Sequence, residues 1–316
     1  MRARTLTEHD FGISKIALAR VHVHAGGAEA KARDPSKPGS APTATWRPLL
    51  SPADTSPDDD LLVDRSDPAI AVVTINRPKR RNAMKLAMWR ELGRIFDELS
   101  GEPELRAVIL TGAGGAFCAG ADISEFGEVR ATVEDGRAYE ATGDHCQTAI
   151  ASCSKATIAA ISGPCFGGGV GLALSCDFRF ADDTAYFGIP AARLSNVYGV
   201  VETRALYDAV GLAVAKEVLF TGRRYTAGEA RDVGMVTHLA EDTALAAALS
   251  FADRLKLCAP LTIKGAKTVL DAIARNQTAE REAAIQAVAD EAMASEDYKE
   301  GVAAFAEKRD PRFRGV

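Results

Sequence analysis

Two glycine-rich stretches could let the backbone itself do chemistry. Gly112 to Ile123 reads GAGGAFCAGADI, and Ser162 to Asp177 reads SGPCFGGGVGLALSCD. Small residues let a main chain approach a ligand closely, and glycine supplies the dihedrals that a tight loop needs. In the second stretch the run Gly167-Gly168-Gly169 opens an apolar segment of helical character. Unpaired N–H groups and the positive end of a helix dipole would gather there, which suits a phosphate or a developing oxyanion. A phosphate loop wants Lys followed by Ser or Thr, which Val170-Gly171 do not supply, and GAGGAF does not match GxGxxG. A charge that appears only during reaction, held by one amide from each loop, is the better fit. Taken singly, each loop also reads as a structural turn.

Both loops follow segments that read as strands. Ile70 to Asn76 (IAVVTIN), Arg106 to Thr111 (RAVILT) and Thr157 to Ser162 (TIAAIS) are short apolar runs rich in β-branched residues. Met84 to Leu99 sets Leu86, Trp89, Leu92, Ile95 and Phe96 at helical spacing, with Asn82 able to cap it. A further helix is expected over Thr132 to Ser152, and a short apolar one through Leu172 to Cys176. This alternation predicts an α/β body on a mostly parallel sheet. After about residue 200 helices take over: Ala205 to Phe220, Ala227 to Val233, Thr243 to Leu257, Leu261 to Arg275 and Thr278 to Met293. One short strand is expected at Met235 to Leu239.

The 316 residues, 47% of them hydrophobic, support one large domain with a real core, and the formal net charge of −5 does not suggest a nucleic-acid surface. Six cysteines lie scattered without a CxxC pair or metal-ligand spacing, as reduced thiols of an intracellular protein do, so neither a disulfide nor a metal site is expected. The longest apolar runs are too short to span a bilayer. Residues 1 to 60 differ from the rest: between Arg33 and Asp60 they carry six prolines among Ser, Thr, Ala and Gly, and they are expected to be disordered or loosely attached. No apolar secretory segment precedes them. Arg2, Arg4 and Arg20 leave a mitochondrial transit peptide as the alternative to a linker, so the expected location is cytoplasmic, with the mitochondrial matrix second.

From about Val63 to Phe313 the chain resembles the crotonase family, also called enoyl-CoA hydratase/isomerase. The phrases that carry the resemblance are INRPKRRNAM, AVILTGAGGAFCAGADI, AAISGPCFGGGVGLALSCD, FTGRRYTAGEARDVGMV and SEDYKEGVAAFAEKR, in that order. It implies a crotonase-like β-β-α superhelical spiral over residues 61–255. It also implies a helical region over 256–316 that drives assembly into a homotrimer or a dimer of trimers. The substrate would be an acyl-CoA, with coenzyme A present only as part of it and no cofactor bound permanently. Ala121 and Gly168 match the two amides that hold the thioester oxygen. Lys79 matches a position near the CoA phosphates, with Arg80 and Arg81 adding charge, and Ala119 and Ile123 match the adenine pocket. Phe305 and Lys308 match residues that reach the CoA of a neighbouring subunit. Asp122 and Asp177 match common positions and read as structural.

The chain departs from the family where its hydratases carry two glutamates. Those positions match Gly171 and Ala191, neither of which can move a proton. Isomerases manage with one carboxylate, and the nearby candidates are Glu202, which also fits the first turn of a helix where the dipole favours it, and Tyr198, which also fits a pocket wall. Gly199 matches a glycine beside the reacting carbons. His145 is expected to face the acyl group, and Arg193 to form a salt bridge. Three readings stay open: enolate chemistry on an acyl-CoA, acyl-CoA binding without turnover, and nucleotide binding.

Overall fold

The computed structural model describes residues 59–316. The main sheet begins with β1 (Leu61–Asp67) and β2 (Ile70–Ile75), paired antiparallel. After α1 (Leu86–Ser100), β3 (Ala107–Gly112) joins β2 in parallel. A short α2 (Phe126–Val129) and the long α3 (Val133–Ser152) lead to β4 (Ala156–Ile161), parallel to β3. From here the chain repeats a pattern. β5 (Pro164–Phe166) and α4 (Gly168–Ser175) follow, then β6 (Phe178–Ala181), β7 (Tyr186–Gly188) and α5 (Val200–Thr221), then β8 (Tyr225–Thr226), α6 (Ala227–Asp232) and β9 (His238–Leu239). Successive turns add β6 and β9 to a six-stranded sheet, ordered β1-β2-β3-β4-β6-β9, and place β5, β7 and β8 in a three-stranded one, ordered β5-β7-β8. This is the expected β-β-α spiral. Four helices close the chain: α7 (Ala244–Leu255), α8 (Pro260–Ala274), α9 (Glu282–Ala294) and α10 (Glu296–Glu307).

β3 and β4 are almost wholly buried and, apart from Thr111 and Thr157, apolar, because both faces of the sheet are covered. Alternate residues divide between two cores. Val73, Val108, Leu110, Ala159 and Ile161 meet the α1 side, whereas Ile70, Ala107, Ile109, Ile158 and Ala160 meet Ala244, Ala248 and Ala252, which lie one turn apart on α7.

Several expectations are corrected. Asn82 does not cap α1, whose cap position is Lys85. Asn82 is buried with φ +58, a conformation that asparagine tolerates. Its side chain accepts from the Arg77 N–H and donates to the carbonyls of Ala113 and Ala116, pinning the 77–83 turn to the first glycine loop. α5 begins five residues before the expected Ala205, and Gly211 (φ +73) kinks it. At the expected boundary, Asp60 is tied to the body. Asn76 donates to the carbonyl of Asp60 at 2.8 Å, and Lys85 pairs with the Asp60 carboxylate at 2.9 Å. The remainder of the expectation for residues 1–60 lies outside the described residues. No helix among the described residues is long and apolar enough to cross a membrane.

Candidate active site

The parallel pairing of β3 with β4 brings the two glycine loops side by side, and backbone bonds then fasten them. The Cys118 N–H donates to the Pro164 carbonyl (3.0 Å), and the Phe166 N–H to the Cys118 carbonyl (2.9 Å). The loops approach so closely that a Cβ on Gly120, which has φ +91, would lie 2.7 Å from the Phe166 carbonyl oxygen and 3.3 Å from the Gly168 nitrogen. Only glycine fits there. The contact sets Gly168 N beside the residue that precedes Ala121.

The bonds around Ala121 go to its neighbours: Met84 N–H donates to the Gly120 carbonyl and Asp122 N–H to the Met84 carbonyl, both at 2.8 Å. Gly168 is the first residue of α4, where an N–H has no partner in its own helix. Among the described residues, neither the Ala121 nor the Gly168 N–H donates a hydrogen bond.

Both amides border a cleft of about 580 Å³. Of the residues singled out from the sequence, Ala119, Ala121, Ile123, Gly168, Tyr198, Gly199 and Glu202 line it, and Lys79, Phe305 and Lys308 do not. Lys79 is exposed on a one-turn 3-10 helix, Pro78–Arg80. Phe305 lies on α10 with 88% of its surface exposed, and Lys308 ends that helix with φ +56. His145 is also outside. It lies along α1, its Nε2 3.6 Å from an Asp97 carboxylate oxygen, because the cleft face of α3 carries Tyr139, Glu140, Gly143 and Asp144 and position 145 has turned past it. Among the described residues Arg193 forms no ion pair; its Nε donates to the Thr221 carbonyl (3.3 Å). Asp122, paired with Arg77 at 2.9 Å, and Asp177, paired with Lys267 at 2.9 Å, tie elements together.

Glu202 sits in the first turn of α5, but its carboxylate caps nothing. It turns into the cleft and accepts from Gln147 Nε2 at 2.9 Å. Burial pushes its carboxyl up to about 7; the Gln147 bond opposes the rise, and Asp144 and Glu140 add to it. Tyr198 places its hydroxyl 3.1 Å from where a Cβ on Gly167 would be, beside the glycine turn that presents the Gly168 amide. Burial raises the phenol well above its ordinary range. Trp89 donates to the Tyr139 hydroxyl (3.1 Å) beneath Gly168, and Arg130 bonds Glu140 (2.9 Å) with its guanidinium 4.9 Å from the Phe126 ring centre.

The sequence reading missed Gln147, Asp144, Glu140 and Arg130. The one available signal was the spacing of Tyr139, Gly143 and Gln147, which marks a single face of α3.

The raised Glu202 carboxyl makes a stability prediction independent of any activity. A folded value above the ordinary 4.5 means that the folded state holds this proton more tightly than the unfolded chain. The cost is absent below pH 4.5, grows as pH rises to about 7 and is then constant. Glu202→Gln should therefore match the parent protein at low pH and exceed it by about 1–3 kcal/mol at about pH 8, in urea unfolding at both pH values.

The family model described as enoyl-CoA hydratase/isomerase matches residues 65–316. The short-chain-enoyl-CoA hydratase of Clostridium acetobutylicum is 37% identical over 245 residues, covering 76% of this chain and 92% of that protein. Among solved structures, an enoyl-CoA hydratase/carnithine racemase from Magnetospirillum magneticum superposes with a TM-score of 0.76 at 35% identity, over 82% of this chain and 96% of its own. The enoyl-CoA hydratase of Bacillus anthracis gives 0.74 at 31% identity, over 81% and 100%.

Proposed function

The chain belongs to the enoyl-CoA hydratase/isomerase family, and from that premise we propose that it moves the double bond of an enoyl-CoA rather than adding water across it. Glu202 is the one proton carrier. Its ionised carboxylate takes a proton from the carbon next to the thioester. The electron pair of that C–H bond flows into an enolate whose oxygen accepts from the Ala121 and Gly168 N–H groups. The carboxylic acid then returns the proton two carbons further along the chain, and the double bond comes to rest in conjugation with the carbonyl. Nothing is consumed, and the base ends as it began.

The observation that carries this reading is a buried carboxylate, pushed up to about 7, sharing one cleft with two amide N–H groups that have no other partner among the described residues. A base that titrates near the working pH is both present in its ionised form and able to give the proton back. A hydratase of this family needs two glutamates, and the matching positions are Gly171 and Ala191. The Tyr198 hydroxyl, close to the Gly167 turn, would support the oxygen side of the enolate. The chemistry calls for no resident cofactor, only a compartment that holds CoA thioesters, cytoplasm or mitochondrial matrix. Exposed Met293, Val302 and Phe305 on α9 and α10 support assembly as a trimer or a dimer of trimers.

The test uses trans-3-hexenoyl-CoA and crotonyl-CoA side by side. With the first, absorbance of the conjugated thioester should grow. With the second, it should hold nearly steady, because the hydration machinery is missing. Rapid loss of the crotonyl-CoA signal would overturn the isomerase assignment. Silence with both substrates, together with CoA binding by calorimetry, would favour the second reading, an acyl-CoA binding protein, for which Gly171 and Ala191 also speak.

A further inference from the structure

Gln147 is 1% exposed, and only part of its amide is satisfied. Its Nε2 donates to Glu202, but its Oε1 has no partner among the described residues. A half-satisfied buried amide is costly, and an apolar side chain of the same shape would pack there without that cost. The amide also lies flat against Gly171: a Cβ on that glycine would stand 3.0 Å from both Nε2 and Oε1. Any side chain at 171 would press on Gln147 and disturb its bond to Glu202. Thus the position where the family's hydratases carry a glutamate on α4 is bare here, and the room is taken by an amide from α3 that holds a carboxylate from α5.

We propose that Gln147 is the positioning residue of Glu202, and that Gly171 provides the room in which it works. The inference rests on the reading of Glu202 as the base. The groups facing the Glu202 carboxylate are Gln147, Asp144, Glu140 and Tyr139 from α3, Arg130 from the loop before it, and Tyr198 at the entry to α5. Of these, Asp144 and Glu140 oppose ionisation, and the Gln147 bond is the strongest influence favouring it. If the amide turns over, the same oxygen that now lacks a partner can accept from the protonated carboxyl. The pair is therefore matched in both states of the proton cycle.

The test measures kcat and KM for trans-3-hexenoyl-CoA across pH in the full-length protein. Gln147→Met keeps the length and removes the donor. The expected result is a nearly unchanged KM, kcat down about tenfold near neutrality, and a rising limb displaced upward by about one pH unit, so that activity returns in alkali. Gly171→Ala leaves the amide in place but presses on it, and should displace the limb the same way. Where Gln147→Met does not fold, this second variant decides. The pH at which the stability difference between parent and Glu202→Gln levels off reports the same carboxyl without substrate, and Gln147→Met should raise it. A uniform loss of kcat at every pH with an unmoved limb would overturn the inference. If Glu202→Gln kept full activity, the assignment of the base would fail instead, and the two failures are told apart by that one variant.

Discussion

Glu202→Gln should lower kcat for trans-3-hexenoyl-CoA by about 10²–10⁴, the range that a placed acid or base contributes. The substitution replaces one oxygen by NH2 and keeps the shape of the side chain, so the cleft and its amides stay as they are. Glutamine cannot accept the proton from the acyl carbon at any pH, and the flat kcat profile that remains should lack the limb near pH 7 set by the carboxyl. KM should change little, because Glu202 acts on a bond being broken and not on the part of the substrate that gives affinity. Steady-state rates from the conjugated thioester signal, with calorimetry of CoA binding beside them, separate the two. Retention of more than about a tenth of the activity would place the proton with another group. The same variant should be the more stable protein at about pH 8, since it no longer buries an ionised carboxylate. Loss of activity together with gain of stability is the signature of a working group held against its own solvation.

The parts of the site that were legible in the sequence are those built from backbone. Gly120 and Gly167 are required by close approach and by φ, so their presence in two strand-end loops nearly dictates what the loops do. The apolar runs of β3 and β4 are equally plain, because a strand buried on both faces tolerates little else. β1 was not legible: its LLVDRSD lies on the sheet edge with three of its seven residues exposed and none fully buried. β5, β7 and β8 have three residues or fewer and owe their form to the spiral that gathers them. Gln147 was hidden for a different reason. An amide on a mixed helix carries no motif, and its meaning depends on what a glycine 24 positions later on α4 leaves open. Asn82 misled because asparagine before a helix usually caps, and here the demand for φ > 0 and for three hydrogen bonds to the neighbouring turns outweighed the cap.

Gly168→Pro should cost about 10²–10³ in kcat while leaving the fold intact, and it tests the other half of the chemistry. Proline removes one backbone N–H and with it one of the two donors to the enolate oxygen. Position 168 is favourable for the exchange. It is the first residue of α4, where proline is welcome because the N–H has no helical partner to lose. The residue before it, Gly167, has φ +54 and ψ −123, an extended mirror-image conformation outside the right-handed helical region that proline forbids to its predecessor. The added Cβ meets Trp89, whose Cη2 would lie 2.9 Å from it. Gly168→Ala imposes that same pressure and keeps the N–H, so the difference between the two variants isolates the amide. Alanine should lose several-fold and proline a further ~10². Urea unfolding would show both folded, and calorimetry should show CoA still bound, since the missing donor matters most once charge has reached the oxygen. Equal activity in the alanine and proline variants would mean that no oxygen is held there. The enolate would then have a single donor, at Ala121, and the juxtaposition of the two loops would need another purpose.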